Sequence, residues 1–273
     1  MPCYFIIRGP AKDELFASET DVTMQRWPEA SSPLLTGPAE GRFTRVPHLY
    51  NRDRRRMPRR SLFITLEGID GTGKSTQVRR LVRYLRGLGY PVRGTREPGG
   101  TPVGDRIRSI LLASSTGNLD PRAELALMYA ARAQHLQDVV RPALARGEVV
   151  VSDRFNDASF AYQGYGRKLG VETVRAFDRI VCGKTQPDLT IILDLDPRSS
   201  LARAQGREIR RNSRNGRFES QGLKFHQRVR AGYLAIARKE PRRVKIVCAD
   251  RPVEVVQTEV RRLVKEFLAR RDK

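Results

Sequence analysis

Gly68, Gly73, Lys74 and Ser75 stand in the spacing G-x-x-x-x-G-K-S within the stretch LEGIDGTGKSTQ. The chemistry this spacing serves is the holding of phosphate. Glycines let successive backbone N–H groups turn towards one set of oxygens, and the helix that follows adds partial positive charge at its N-terminus. Lys74 is expected to reach the β- and γ-phosphates of a nucleoside triphosphate, and the Ser75 hydroxyl to hold Mg2+. The candidate cradle for ATP is the whole loop: Gly68, Ile69, Asp70, Gly71, Thr72, Gly73, Lys74, Ser75 and Thr76.

A second group of charged residues lies in TREPGGT (95–101) and SDRF (152–155). Each follows an apolar segment. In a parallel sheet such segments end on the same edge as the phosphate loop, where open α/β folds bind ligands. Arg96, Glu97, Asp153 and Arg154 are therefore expected to meet at one crevice. Asp153 follows three valines and is placed like a strand-end acid that helps hold Mg2+, directly or through water.

The elements that must position these residues begin at Ser61. SLFITLEG is a short apolar strand, and STQVRRLVRYLRGLG puts Val78, Leu81, Val82, Leu85 and Leu88 on one helical face, with Gly89 as the stop. YPVRGTREPGG reads as a second strand running into a glycine turn. DPRAELALMYAARAQHLQDVVRPALARG reads as one long helix, capped by Asp120, opened by Pro121 and closed by Gly147. EVVVSD, LTIILDLD and RRVKIVCAD are three further strands, and PVEVVQTEVRRLVKEFLARR is a final amphipathic helix. LTIILDLD is almost continuously apolar, as a strand covered on both faces must be. Alternation of this kind implies a five-stranded parallel sheet flanked by helices, an α/β fold.

The balance of charge is strongly basic, +22, with 43 arginines against 9 lysines. Residues 198–245 alone carry 15 basic and 3 acidic side chains. Phosphates of nucleotides or nucleic acid are the natural counterparts. No interleaved aromatic–basic stripe accompanies the charge, which counts against nucleic acid. No apolar run is long enough for a membrane span. Cys3, Cys182 and Cys248 form neither a metal spacing nor an even set for disulfides, in keeping with a reducing cytoplasm. Residues 1–60 lack sustained periodicity. They are expected to be a disordered extension, or sequence upstream of a natural start at Met57, leaving 61–273 as the folded domain.

The segments EGIDGTGKST, TREPGGTPVGDRIRSILL, AELALMYAARAQH, VVVSDRFNDASFAYQGYGR, LDLDP and GRFESQGLKFHQRVRAGY resemble, in order, those of bacterial thymidylate kinases. The resemblance covers residues 61 to about 265. It implies the P-loop fold of nucleoside-monophosphate kinases with a mobile lid, at about 203–222, and ATP-dependent phosphorylation of dTMP to dTDP in a homodimer. The acceptor is a phosphate monoester that needs no side chain to remove a proton, so the site should be rich in Arg and poor in His.

The same resemblance implies roles. Asp70 takes the sugar 3′-hydroxyl. Glu97 and Asp153 organise Mg2+, water and the acceptor. Arg96, Arg108 and Arg154 are candidates for the acceptor phosphate. Arg132 and Gln163 bond the thymine edge with Ser159 beside it, and Tyr162 packs under the loop. Two positions depart from the family pattern: Met128 stands where a Phe stacks on thymine, and Cys248-Ala249 where Asp-Ala is common near the adenine. Gly71 in the loop implies that a lid arginine supplies the charge that others of the family place at that loop position. Arg203, Arg207, Arg210, Arg211, Arg214 and Arg217 lie within reach, and Arg207 and Arg217 best match the family lid. The alternatives are a kinase for another nucleoside monophosphate and a P-loop ATPase acting on nucleic acid.

Overall fold

The computed structural model describes residues 61–211, 217, 218 and 220–271, without the side chains of 114, 205 and 207–211. The expected extension 1–60 with Met57 lies outside these residues.

Strand β1 (Leu62–Glu67) is the centre of a five-stranded sheet. The others are β2 (Val92–Arg96), β3 (Val149–Asp153), β4 (Leu189–Asp194) and β5 (Val244–Cys248). Their order is β2-β3-β1-β4-β5, and every pairing is parallel. Leu66 and Arg96 both stand in register with Asp153, and Asp194 with Cys248. The chemically useful strand ends therefore share one edge. The chain after β1 crosses to the far side of β3, while β4 lies on the opposite side of β1. That reversal opens a crevice above β1.

Side chains alternate across β1. Leu62, Ile64 and Leu66 pack with Val78, Leu81, Val82 and Leu85 of α1 (Lys74–Gly87) and with Val256, Val260 and Val264 of α9 (Val253–Arg271). Phe63 faces the other way, towards Leu125 and Tyr129 of α3 (Pro121–His135) and Val174 of α6 (Val171–Val181). Each such fully buried leucine contributes about 1.5–3 kcal/mol. α2 (Pro102–Leu112), α4 (Arg141–Ala145), α5 (Asn156–Ser159), α7 (Pro197–Arg211) and α8 (Leu223–Lys239) are the other α-helices, and a π helix at Phe160–Gly166 follows α5. Among the described residues no helix is long and apolar enough to cross a membrane.

Two details differ from the reading of the sequence. Leu88 is 44% exposed, because α1 ends at Gly87 and Gly89 turns the chain with φ +78°. The long helix opens as expected, with Asp120 accepting from the Arg122 N–H at 2.8 Å, but it is not uniform. It passes through a π turn at Leu136–Val140 before α4. Pro142 lies just beyond, has no N–H to give the preceding turn, and is accommodated by that wider winding.

Candidate active site

The phosphate loop joins β1 to α1, and its backbone is set by close neighbours. Gly68 has φ +132°, and a Cβ there would run into the Leu193 carbonyl. Gly71 has φ +84°, and a Cβ there would run into the carbonyl of Ser200 on α7. The Ser200 hydroxyl donates to the Asp70 carbonyl, which presses α7 onto the loop. Thr72 Oγ1 and Lys74 Nζ both donate to the Ile69 carbonyl, at 3.0 and 2.8 Å. No side chain caps the start of α1, which leaves that helix end to an anion. Burial pushes the Lys74 ammonium down to about 8; repulsion from Arg154 adds to this, and Asp70 and Asp153 oppose it.

Asp70, Gly71, Gly73, Lys74, Ser75 and Thr76 open onto a cavity of about 1350 Å3. Arg96, Glu97, Arg108, Met128, Arg132, Asp153, Arg154, Ser159 and Gln163 line the same cavity. Ser75 Oγ donates to Asp153 Oδ2 at 2.5 Å, so two of the three residues expected at Mg2+, with Glu97 the third, are adjacent. Gly68, Ile69 and Thr72 do not line it; Ile69 instead packs with Ile192, Tyr162 and Phe225 under the loop.

Arg154 is the hub. It leaves β3 with φ +74°, in the left-handed region that non-glycine residues rarely occupy. Its guanidinium donates to the Gly68 carbonyl at 2.8 Å, Tyr233 at 3.0 Å, Asp70 at 2.8 Å and Tyr162 at 3.0 Å. Tyr162 donates in turn to Asp70 at 2.9 Å, and Tyr233 to Glu67 at 2.8 Å. Burial would raise the Asp70 carboxyl, but Arg154, Lys74 and the Tyr162 hydroxyl hold it well below the usual carboxylate range. For Glu67 burial wins and raises it to about 7, against the lowering by Arg154. The backbone of Arg154 costs about 1–3 kcal/mol in such a conformation, and these bonds offset it.

A second buried pair lies beside it. Glu97 accepts from Arg132 Nε at 2.7 Å and from His135 Nδ1 at 2.8 Å. An acceptor-only carboxylate makes Nδ1 the protonated nitrogen. Arg132 also donates to Ser159 at 3.0 Å and to the Phe155 carbonyl at 2.9 Å, and lies 4.5 Å from the Tyr129 ring centre. Arg132 is 2% exposed, so this helix arginine belongs to the interior. Arg108 donates to the Pro98 carbonyl at 2.8 Å, and its guanidinium is pushed down by burial and by repulsion from Arg96 and Arg154. Arg96 is exposed and pairs with Asp105 at 2.9 Å. The cavity is lined by eight arginines against four carboxylates, an excess of positive charge that suits an anion. Met128 is half-buried against the aromatic cluster under the loop.

The lid arginines divide. The Arg207 side chain lies outside the described residues, as do those of Arg210 and Arg211 and the whole of Arg214. Arg203 ties α7 to the expected adenine loop, donating to the Ala249 carbonyl at 3.1 Å and to Asp250 at 2.8 Å. Arg217 corrects the expectation made for it. It does not line the phosphate cavity. It is 6% exposed and donates to the Leu111 carbonyl at 2.7 Å and to Glu124 at 2.6 Å. A wholly buried carboxylate requires a paired cation, and Arg217 serves that need.

The sequence reading passed over Glu67, Glu124, His135, Arg167 and Tyr233. The available signal was a charged residue on an otherwise apolar face: Glu67 closes a buried strand, and Glu124 sits with Leu125 and Met128 in the first turns of α3.

A phosphate loop on β1, an adjacent hydroxyl–carboxylate pair and an arginine-lined acceptor pocket at the topological switch define a P-loop kinase of small phosphorylated acceptors. The family model for thymidylate kinase matches residues 66–260. The thymidylate kinase of Syntrophotalea carbinolica is 48% identical over 197 residues, 72% of this chain and 91% of that protein. That of Symbiobacterium thermophilum is 47% identical over 211 residues, 77% of this chain and 96% of that protein. The crystal structure of thymidylate kinase from Ehrlichia chaffeensis superposes with a TM-score of 0.61 at 32% identity, covering 75% of this chain and 98% of that one. The chain belongs to the thymidylate kinase family.

Proposed function

We infer that this chain transfers the γ-phosphoryl group of ATP to the phosphate of dTMP, giving dTDP and ADP. The observation that carries the reading is the single crevice in which the phosphate loop faces Arg96, Arg108 and Arg154. An oxygen of the acceptor phosphate forms the new P–O bond while the bond to the ADP oxygen breaks, and no proton need leave the acceptor first. The task left to the protein is alignment of two anions and cancellation of their charge.

Lys74 and the loop backbone hold the donor phosphates. Ser75 and Asp153 offer hard oxygens of the kind Mg2+ prefers and would hold it together with water and phosphate oxygens. Mg2+ would supply neutralisation of the β- and γ-oxygens. Arg108 and Arg154 receive the acceptor phosphate, with Arg96 at the rim. Asp70, kept ionised by Arg154, takes the 3′-hydroxyl. Arg132 and Gln163 bond the thymine edge, and Met128 lies against the ring through a polarisable thioether. Glu97 acts by fixing Arg132, because both its oxygens are engaged. Arg207, on a lid closing over ATP, supplies further positive charge, whereas Arg217 anchors the lid's end. The folded domain is 61–273, and the protein works as a homodimer in the cytoplasm.

The test is ADP release with MgATP against dTMP, dUMP, dGMP, dCMP, dAMP and UMP. Strong preference for dTMP is expected. Equal rates with several monophosphates would withdraw the substrate, and no activity would overturn the reading. Analytical ultracentrifugation checks the dimer. The family assignment sets aside the nucleic-acid ATPase.

A further inference from the structure

Glu124 lies in the first turn of α3, where an acidic residue would ordinarily face water, yet it is wholly buried. Four contacts from three side chains converge on its two oxygens. Oε1 accepts from Gln163 Nε2 at 2.8 Å and Arg167 Nε at 3.2 Å. Oε2 accepts from Arg167 Nη2 at 2.9 Å and Arg217 Nη2 at 2.6 Å. Both oxygens are taken up by N–H donors, and a carboxylate only accepts.

This fixes the sense of the Gln163 side-chain amide. Its nitrogen must face Glu124, because the reverse would set the amide oxygen against a carboxylate oxygen. Gln163 also lines the cavity with Arg132 and Met128, and the edge its amide has left to offer there is a carbonyl beside the second N–H. That edge has a definite complement. Thymine offers an accepting O4 beside a donating N3–H; cytosine offers a donating amino group beside an accepting N3. In the anchored sense the amide matches thymine. Turned over, it would match cytosine.

We propose that Glu124 is a positioning residue that sets the choice of pyrimidine by locking the Gln163 amide in the sense that reads thymine. The inference rests on the assignment of Gln163 to the base edge made above. Arg132, held by Glu97, then supplies only donors and reinforces the same choice. The lock is indirect: Glu124 does not line the cavity.

The experiment is kcat/KM for dTMP and for dCMP with MgATP, in the wild type and in Glu124→Gln, Glu124→Asp and Arg167→Lys. Gln at 124 can offer an N–H to a turned-over Gln163, so the dTMP:dCMP ratio should fall by roughly tenfold, the preference of about one hydrogen bond. The change should appear mainly in KM, with kcat for dTMP little altered. Asp at 124 still only accepts and should keep the ratio. Arg167→Lys loosens the same carboxylate without touching Gln163, so it should lower Tm but not the ratio. An unchanged ratio in Glu124→Gln, or an equal fall in all three variants, overturns the proposal. A wild type that does not prefer dTMP to dCMP overturns instead the reading of the base site. If Glu124→Gln does not fold, the wild-type complex with dTMP decides through the Gln163 side-chain amide in 15N-resolved NMR. One slowly exchanging, downfield amide proton that persists with dTMP bound supports the lock; two rapidly exchanging protons sink it.

Discussion

The two walls of the crevice are built on different principles. The donor wall, from Gly68 to Thr76, is backbone: glycines, a helix start, and a lysine folded onto a carbonyl. The acceptor wall is made of side chains whose charges are matched, Arg154 with Asp70 and Arg132 with Glu97, and behind it Glu124 is paired with Arg167 and Arg217. Backbone groups recognise any polyphosphate and tolerate change around them. Buried ion pairs select a particular partner and punish the loss of either member, because an unpaired charge in the interior is far costlier than the pair is beneficial. In the reading proposed above, ATP, common to many enzymes, falls to the first wall, and dTMP, which must be singled out, to the second.

Chemistry and stability should therefore separate between the walls. The largest effect is expected from Lys74→Met: kcat falls by about 10²–10³, the usual loss when one positioned donor to a charged transition state is removed. Its Tm should stay near that of the wild type, since Lys74 bonds only the loop. A fall in Tm as large as that of a core variant would erase the distinction. Arg132→Met should show the opposite pattern, a loss of about 3–5 kcal/mol in urea unfolding from stranding Glu97 in the interior. Arg132→Met with Glu97→Leu should recover much of it. If the double variant is no more stable than the single one, the acceptor wall does not depend on matched charge.

Two smaller effects sharpen the contrast through pH. Lys74 loses its proton near 8 in the free protein, so kcat/KM for MgATP should decline above that pH, and the residual activity of Lys74→Met should not. Glu67 holds its proton to about 7 in the fold against 4.5 in the unfolded chain. A raised folded value contributes stability that is full below 4.5 and lost as pH rises through about 7. Differential scanning calorimetry should show wild-type Tm falling relative to Glu67→Gln across that window. The smallest effect belongs to Arg203→Ala on the donor side. Its pair with Asp250 is half exposed, and such pairs give about 0–1 kcal/mol, so Tm should hardly move.

The fold was legible because its signals are local. Short strands, helices with a single buried face and glycines at several of the turns are all signals that lie within a few neighbours of each other. The donor wall was legible for the same reason, being one contiguous motif. The acceptor wall was read only in part. Its residues could be placed at strand ends, but their partners could not, since Glu124 meets Arg217 across 93 positions and Tyr233 meets Glu67 across 166. Arg217 was therefore assigned to the triphosphate when its carboxylate lay elsewhere. Leu88 and the π turn escaped because helix ends and windings depend on what packs next to them.

The approach of α7 to Gly71 bears on how such a site could be altered by descent. With Ser200 against that glycine, no side chain fits at position 71 unless the helix withdraws. Moving the charge from lid to loop would thus take at least two coordinated changes, with a poorer enzyme between them. The glycine and the helix hold one another in place across generations, and variants at either position should survive in selection only as pairs.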